Sequence, residues 1–391
     1  MNLTKVQEKM LSGEKGEAVQ KAMEILVGLG DIYEAEKFIP VKSAHLSGIS
    51  IKTAGNAGLN FIEEMVEMGA GVSVPTTINP AALDLQNWEE LGVPEEISKK
   101  QIRIIEAYRK MGADPVCSCV PYLIGNEPSL GQHVAWSESS AVVYANSVLG
   151  ARTNREGAPS ALASAVTGLT PDYGYHLDEN RLGSVKIRPD PGLFKGEGTF
   201  SYSVLGYWVG DNFPGSVPVI ENLHPNLEQQ RALGAGMATS GAIALYHIPR
   251  VTPEAKENPE ICETNNEVSF ETEEFNEIRS ELDQTSEADI ICLGCPHASR
   301  EELRRLSQMN VEKEVWVHIP RKLREDSDMK EIYQRLKEKN VKLVCDTCMV
   351  VSPLSEMGYS SIGINSAKAA YYVPLLGDVK VHFAPIEELI R

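Results

Sequence analysis

Two Cys-x-x-Cys pairs, Cys292-Leu-Gly-Cys295 and Cys345-Asp-Thr-Cys348, stand in the last third of a 391-residue chain, and Cys117-Ser-Cys119 stands well before them. Thiols at these spacings offer three kinds of chemistry. Four thiolates can close a tetrahedral zinc site. A dithiol can cycle through a disulfide, although a redox pair ordinarily opens a helix after one strand, and here the pattern occurs twice. The third reading comes from the neighbouring residues. Cys292 and Cys345 lie inside apolar runs (Ile-Ile-Cys-Leu and Lys-Leu-Val-Cys) that read as strands, where a thiol is ordinary core packing. Cys295 and Cys348 fall just beyond those strands, in the following loops. Open parallel sheets bind ligands outside the carboxyl ends of their strands, so one loop cysteine from each of two strand ends is a metal-site geometry. Cys117 or Cys119 is the third candidate, and the two would face the same way on an extended strand. Three loop thiolates leave one iron of a cubane without a protein ligand, free to act as a Lewis acid on a hydroxyl. Spacing alone reaches a metal site and leaves zinc and iron–sulfur both open.

Other residues offer polar groups at predicted element ends. Lys368 falls in the first turn of a helix starting near Asn365-Ser366, where a cation opposes the helix dipole. An anion bound at that N-terminus would account for it, and a solvated surface lysine is the competing reading. Gly48-Ile49-Ser50 and Asn79-Pro80 follow predicted strands and present amides, a hydroxyl and a carboxamide, as ordinary turns also would. Glu138 and Ser139 open a predicted helix, which simple capping explains equally well. His297 reads as either a partner of the metal ligands or a satisfied structural histidine. Arg152 and Arg155 carry no assigned role, and neither does Cys262. There is no Walker-type phosphate loop, and Gly234-Ala-Gly236 lacks the third glycine of a dinucleotide fingerprint.

The elements that must position these residues alternate. The spacing from Thr4 to Gln7 predicts a capping box, with two helices broken near Gly13 and Gly16. Helices are predicted over 61–68, 95–111 (with Ile97, Ile102, Ile105 and Tyr108 or Arg109 near one face), 139–149, 227–245, 300–308 and 329–339. Strands are predicted over 45–50, 71–74, 200–209, 288–293, 314–318 and 341–345, with 75–80 irregular and 254–274 an acidic surface linker. The last third, strand–helix–strand–helix–strand, predicts right-handed parallel crossovers. The whole chain reads as α/β layers with largely parallel sheets, in units of about 1–130, 131–275 and 276–391. With 37 basic against 55 acidic residues the net charge is −18, which argues against binding a nucleic-acid backbone. No apolar run is long enough for a membrane span, and residues 1–15 are charged throughout, unlike a signal peptide. A cytoplasmic protein with free or metal-bound thiols is expected.

Several segments resemble the aconitase X branch of the aconitase superfamily: residues 136–156 (WSESSAVVYANSVLGARTNRE), Leu293-Gly-Cys-Pro-His-Ala-Ser299, Asp346-Thr-Cys-Met-Val-Val-Ser-Pro353 and Gly363-Ile-Asn-Ser-Ala-Lys-Ala-Ala370. With His45 to Ser50, Asn79-Pro80 and Cys119-Val-Pro-Tyr122 they follow the family's order over nearly the whole chain. The resemblance implies aconitase-like layered α/β/α domains and a [4Fe-4S] cluster, sometimes isolated as [3Fe-4S], held by Cys119, Cys295 and Cys348. Cys119 is preferred over Cys117 because the Cys-x-Pro-Tyr context matches the family. It also implies substrate contacts from Gly48, Ile49, Ser50, Asn79, Pro80, Glu138, Ser139 and Lys368, with Glu138 and Ser139 at the chemistry. One form of the family is a single longer chain that dehydrates cis-3-hydroxy-L-proline. The other is archaeal and split, and dehydrates 5-phosphomevalonate to trans-anhydromevalonate 5-phosphate in isoprenoid biosynthesis. The length of this chain resembles the large subunit of the split form. That implies a separate small swivelling-domain subunit, which would carry the serine base that aconitase relatives use. A zinc-stabilised binding protein without catalysis remains the distant alternative.

Overall fold

Short, mostly apolar runs form the strands, and most of them pair in parallel. Five make one parallel sheet in the computed structural model, which describes residues 1–196 and 198–391: Val341–Cys345, Val315–Ile319, Ile290–Leu293, Ser361–Ile364 and Lys380–Phe383, in that spatial order. Numbered along the chain the order is 3-2-1-4-5, so the winding reverses between Ile290–Leu293 and Ser361–Ile364. Such a reversal leaves a crevice at the carboxyl ends of those two strands. Every residue of Ile290–Leu293 and Val315–Ile319 is buried, as expected for strands covered on both faces. Alternation sends Ile290 and Cys292 into one core, with Trp316 and Val344, and Ile291 and Leu293 into another, with Val317 and Cys345.

Two smaller parallel sheets precede it in sequence. Thr76–Ile78, Ala44–Leu46 and Ala135–Trp136 form the first; Pro218–Ile220, Val185–Pro189 and Glu267–Phe270 form the second. Helices pack around them. Glu95–Lys110 has Glu95 and Glu96 in its first turn and Arg109 and Lys110 in its last, matching the dipole. It buries Ile104, Ile105 and Tyr108, whereas Ile102, expected on the apolar face, is exposed. The Thr4–Gln7 capping box is present, and a break at Gly13 to Gly16 separates helices Lys5–Leu11 and Glu17–Ile32. No helix among the described residues is long and apolar enough to cross a membrane.

Three sequence expectations are corrected. The strand expected at 71–74 lies instead at Thr76–Ile78. The Pro75 carbonyl accepts the Ala44 N–H at 2.9 Å, so the missing donor of proline does not interrupt the pairing. Residues 254–274 are not a linker: they contain helix Pro253–Glu257 and the Glu267–Phe270 strand of the second sheet. The segment 200–209 is not a strand but part of helix Phe200–Asn212, in which ten of the eleven residues from Phe200 to Gly210, all but Ser201, are buried. Its aromatic and β-branched composition suggested a strand, but burial on all sides removes the amphipathic period that would mark a helix.

Glycine permits that burial. Phe200–Asn212 lies against Leu227–Gly241, and a Cβ at Gly236 would stand 2.6 Å from the Ser203 carbonyl oxygen and from the Tyr207 nitrogen. This contact also places the site, because the Ser203 hydroxyl oxygen accepts the Ala367 N–H at 2.8 Å, at the start of the helix bearing Lys368. Gly236→Val should therefore destabilise the protein by at least ~1–3 kcal/mol in denaturant unfolding; unchanged stability would contradict this close packing.

Candidate active site

The first sheet sends all three of its strand ends into one cavity. Ala44–Leu46 runs into Ser47 to Ser50, Thr76–Ile78 into Asn79 and Pro80, and Ala135–Trp136 into Ser137 to Ser139. The five-stranded sheet supplies the opposite wall. Gly294, Cys295 and Pro296 follow Ile290–Leu293, and Lys368 follows Ser361–Ile364, on the two sides of the winding reversal. Cys348 comes from the loop after Val341–Cys345, and Cys119 completes the lining. The cavity measures about 260 Å³. All eleven positions singled out in the sequence line it: Gly48, Ile49, Ser50, Asn79, Pro80, Cys119, Glu138, Ser139, Cys295, Cys348 and Lys368.

Buried polar groups fix these loops. The Gln101 side chain accepts the Ile51 and Ala82 N–H groups, each at 2.9 Å, and donates to the Ile49 carbonyl at 3.0 Å. One carboxamide thus ties the Gly48–Ser50 turn to the segment after Asn79-Pro80. On the far side, Arg321 bonds Asp84 at 2.6 Å and Asp346 at 2.8 Å, while the Asp84 carboxylate accepts the Cys345 N–H at 2.9 Å. The Asp346 carbonyl accepts the Ala81 N–H at 2.7 Å. These bonds join the Cys348 loop to the Asn79 loop.

Glu138 and Lys368 meet as a buried ion pair, 4% and 8% exposed as residues. Glu138 caps helix Ser139–Val143, accepting the Ala141 N–H at 2.6 Å and the Ser140 hydroxyl at 2.8 Å. The Lys368 ammonium also donates to Ser139 Oγ at 3.1 Å and to Ser140 Oγ at 3.3 Å. Burial acts to raise the Glu138 carboxyl, but the ammonium and these hydrogen bonds outweigh it and hold the group below the usual carboxylate range. Burial likewise opposes the charged Lys368, and the Glu138 carboxylate overcomes it, raising the ammonium's affinity for its proton. The anion that answers the misplaced cation at this helix start is therefore the chain's own glutamate.

The cysteines separate into two classes. Cys292 and Cys345 lie in separate apolar cores and do not line the cavity, so they cannot complete a four-thiolate site with Cys295 and Cys348. Cys117 is fully buried in the core that contains Ile78, Ile104 and Leu162. Its φ of 43° interrupts the extended backbone, so Cys117 and Cys119 do not face the same way. Cys262 ends a short 3-10 turn beside Lys186 and Glu221, away from the cavity. Donors meet the sulfurs of the three cavity cysteines. Cys119 Sγ accepts the His297 N–H at 3.2 Å, the Val350 and Val351 amides face Cys348, and the Ser366 hydroxyl faces Cys295. Such bonds favour thiolate and would tune the potential of a cluster held there. Burial pushes the Cys119 thiol well up, Cys295 up to about 12 and Cys348 upward, so they stay thiols unless a bound cation supplies the compensating charge. Among the described residues no three His, Cys, Asp or Glu side chains converge as ligands of a single ion. A zinc ion needs its sulfurs about 2.3 Å from one point, whereas a cubane takes one thiolate per iron and accepts a wider triangle. The donor set fits a cluster with three protein thiolates.

His297 itself is satisfied. Its Nε2 faces the Thr347 carbonyl at 2.9 Å, and its Nδ1 faces the Ser118 hydroxyl at 3.1 Å. Burial lowers its pKa to about 3, so the ring is neutral. It braces the loops of Cys119 and Cys348 from behind. Of the two unassigned arginines, Arg155 lines the cavity, while Arg152 pairs with Asp178 outside it. The sequence reading missed Gln101 and the Asp84–Arg321–Asp346 group. Gln101 did carry a signal, a polar residue in the apolar stripe beside Ile97, Ile104 and Ile105. The aspartates are brought together only by tertiary structure.

Removing one partner of a buried ion pair leaves an unanswered charge, so Lys368→Met should lower unfolding stability by ~3–5 kcal/mol. Adding Glu138→Gln should restore part of that loss. Because the folded Glu138 carboxyl is depressed, its contribution is present above about pH 4 and disappears as pH falls through the folded value. The Glu138→Gln variant should show a correspondingly flatter acid limb in stability measured against pH.

Three family models match consecutive stretches: Aconitase X first domain over residues 1–179, second domain over 183–280 and third domain over 288–391. The chain is 44% identical to the phosphomevalonate dehydratase large subunit of Methanocaldococcus jannaschii, with all of both chains covered. It is 33% identical to the cis-3-hydroxy-L-proline dehydratase of Pseudomonas aeruginosa, covering 96% of this chain and 67% of that one. The crystal structure of Thermococcus kodakaraensis aconitase X in its holo-form superposes with a TM-score of 0.90 at 42% identity, covering 100% of this chain and 99% of that one. Matched in order through all three parts, and alike in fold from end to end, the chain belongs to the aconitase X family.

Proposed function

We propose that this chain is the catalytic large subunit of a hydro-lyase that dehydrates (R)-5-phosphomevalonate to trans-anhydromevalonate 5-phosphate in the archaeal mevalonate pathway. The observation that carries the reading is the single cavity in which the three loop cysteines, the Glu138–Lys368 pair and the Gly48–Ser50 and Asn79-Pro80 turns meet. The choice of substrate is supported by the full-length match to a phosphomevalonate dehydratase large subunit, against a more distant match covering two thirds of a proline-type dehydratase. The latter activity is the second reading.

In this account Cys119, Cys295 and Cys348 would hold a [4Fe-4S] cluster, or [3Fe-4S] as isolated. When bound, the cluster supplies a Lewis-acidic iron that makes the substrate's tertiary hydroxyl a better leaving group. The remaining work falls to the chain. The Lys368 ammonium, keeping Glu138 and giving up a serine hydroxyl, joins the amides of the Gly48–Ser50 turn in binding the substrate's anionic ends, with Asn79 and the Pro80 turn shaping the wall between them. Glu138, kept ionised by Lys368, accepts a hydrogen bond and orients the hydroxyl; its depressed basicity makes it a weak base. Ser139 accepts from the Lys368 ammonium and donates to the Glu138 carboxylate, so its hydroxyl can turn from Glu138 to donate to a substrate oxygen. Among the described lining residues Glu138 is the one carboxylate, and it is already engaged. This supports placing the base that removes the proton beside the substrate carboxylate on a small partner subunit. Such a partner is in keeping with the name large subunit borne by the relative. The product is the alkene and water, formed by a cytoplasmic heterodimer.

The chain co-expressed with a small subunit and purified without oxygen should dehydrate 5-phosphomevalonate and leave cis-3-hydroxy-L-proline unchanged. The large subunit alone should be nearly inactive. Turnover of the proline alone would overturn the substrate, and full turnover without the partner would overturn the placement of the base.

A further inference from the structure

Behind the cavity wall, on the first sheet, lies a line of polar side chains of which the chemistry above uses Asn79 alone. His45 and Thr77 are directly opposed on neighbouring strands, and Asn79, two residues beyond Thr77, projects toward the same side. His45 is wholly buried. Its Nδ1 lies 2.9 Å from Thr77 Oγ1. Thr77 Oγ1 in turn accepts from Asn126 Nδ2 at 2.9 Å, and that nitrogen also donates to the Ala44 carbonyl at 3.1 Å.

The backbone carbonyl anchors the direction of every bond that follows. A carbonyl can only accept, so the Asn126 nitrogen is assigned, and its second proton points at Thr77. Thr77 Oγ1 can accept twice, but its one proton has no other partner among the described residues, so it goes to His45 Nδ1. The neutral ring then carries its own proton on Nε2. Burial, which lowers the ring's pKa to about 4, keeps it neutral. His45 Nε2 and Asn79 Oδ1 are both buried and neither has a hydrogen-bond partner, and the Asn79 side chain lies beside the ring. A donor and an acceptor left over side by side satisfy each other. The flipped amide would set two donors head to head.

We propose that His45 is a positioning residue that fixes the Asn79 carboxamide with Oδ1 toward the ring and Nδ2 toward the cavity. Asn126, Thr77, His45 and Asn79 then form a one-way relay whose last member presents an N–H donor. The substrate atom opposite Asn79 must therefore be an acceptor without a proton, such as a carboxylate or phosphate oxygen, and not a hydroxyl donating its hydrogen. This rests on the reading that Asn79 touches substrate, and the experiment keeps the two apart.

The test is a double-mutant cycle on the co-expressed, cluster-loaded complex, with kcat and KM measured for 5-phosphomevalonate. His45→Phe keeps the ring volume and removes the donor, and should lower kcat/KM by about 10–100-fold. In an Asn79→Ala background the same change should alter kcat/KM by less than about twofold, since the relay has nothing left to orient. His45→Gln, which retains an N–H near the Nε2 position, should recover part of the loss. If His45→Phe does not fold, Thr77→Val breaks the relay upstream at nearly constant volume and should show the same non-additivity. Additive losses in an impaired Asn79→Ala background would overturn the relay alone. Normal kinetics in Asn79→Ala would overturn the substrate contact and the relay with it.

Discussion

Burying a carboxylate and an ammonium is unfavourable by several kcal/mol per ion unless the two meet each other and find further hydrogen bonds. Glu138 and Lys368 satisfy both conditions, with two hydroxyls and one backbone amide filling the remaining sites. The two residues are 230 positions apart, one on the first sheet's strand end and the other beside the winding reversal of the five-stranded sheet. The pair therefore couples the two walls of the cavity. A cation in the first turn of a helix, poorly placed for that helix alone, becomes intelligible as half of this bond.

The rest of the site follows from strand direction. Parallel strands end on the same side, and two parallel sheets with their carboxyl ends facing bring loops from distant parts of the sequence into one space. Side-chain locks then set the loops to the required positions: Gln101 under the Gly48–Ser50 turn, and Asp84, Arg321 and Asp346 under the Cys348 loop. His297 braces two cysteine loops without being charged. The cavity wall thus rests on buried hydrogen bonds with few alternative pairings, which suits a site that must hold ligands in fixed geometry.

Legibility in the sequence tracked how local each cause was. The strand Val341–Cys345 and the helix Arg300–Gln308 lie where the apolar period and the turn residues place them. The helix Phe200–Asn212 was misread because burial on every side erased its period, and only the glycine contacts with Leu227–Gly241 reveal it. The strand Thr76–Ile78 was displaced in the reading because Pro75 suggested an end where there is a beginning. At the site, the division of Cys295 and Cys348 from Cys292 and Cys345 was visible from strand boundaries alone. The separation of Cys119 from Cys117 was not, since it depends on one left-handed backbone angle. The partners of Lys368 and Asn79 were equally hidden, because they lie on other strands.

The central claim is that Cys119, Cys295 and Cys348 bind the cluster, whereas Cys117, Cys292 and Cys345 only pack. Iron content and visible absorption of the anaerobically purified complex, compared across single Cys→Ala variants, test it most directly. The account predicts strong loss for Cys119, Cys295 and Cys348, and near-normal iron for Cys117, Cys292 and Cys345 despite lower stability. Loss of iron at Cys292 or Cys345 equal to that at Cys295, in protein that remains folded, would contradict it.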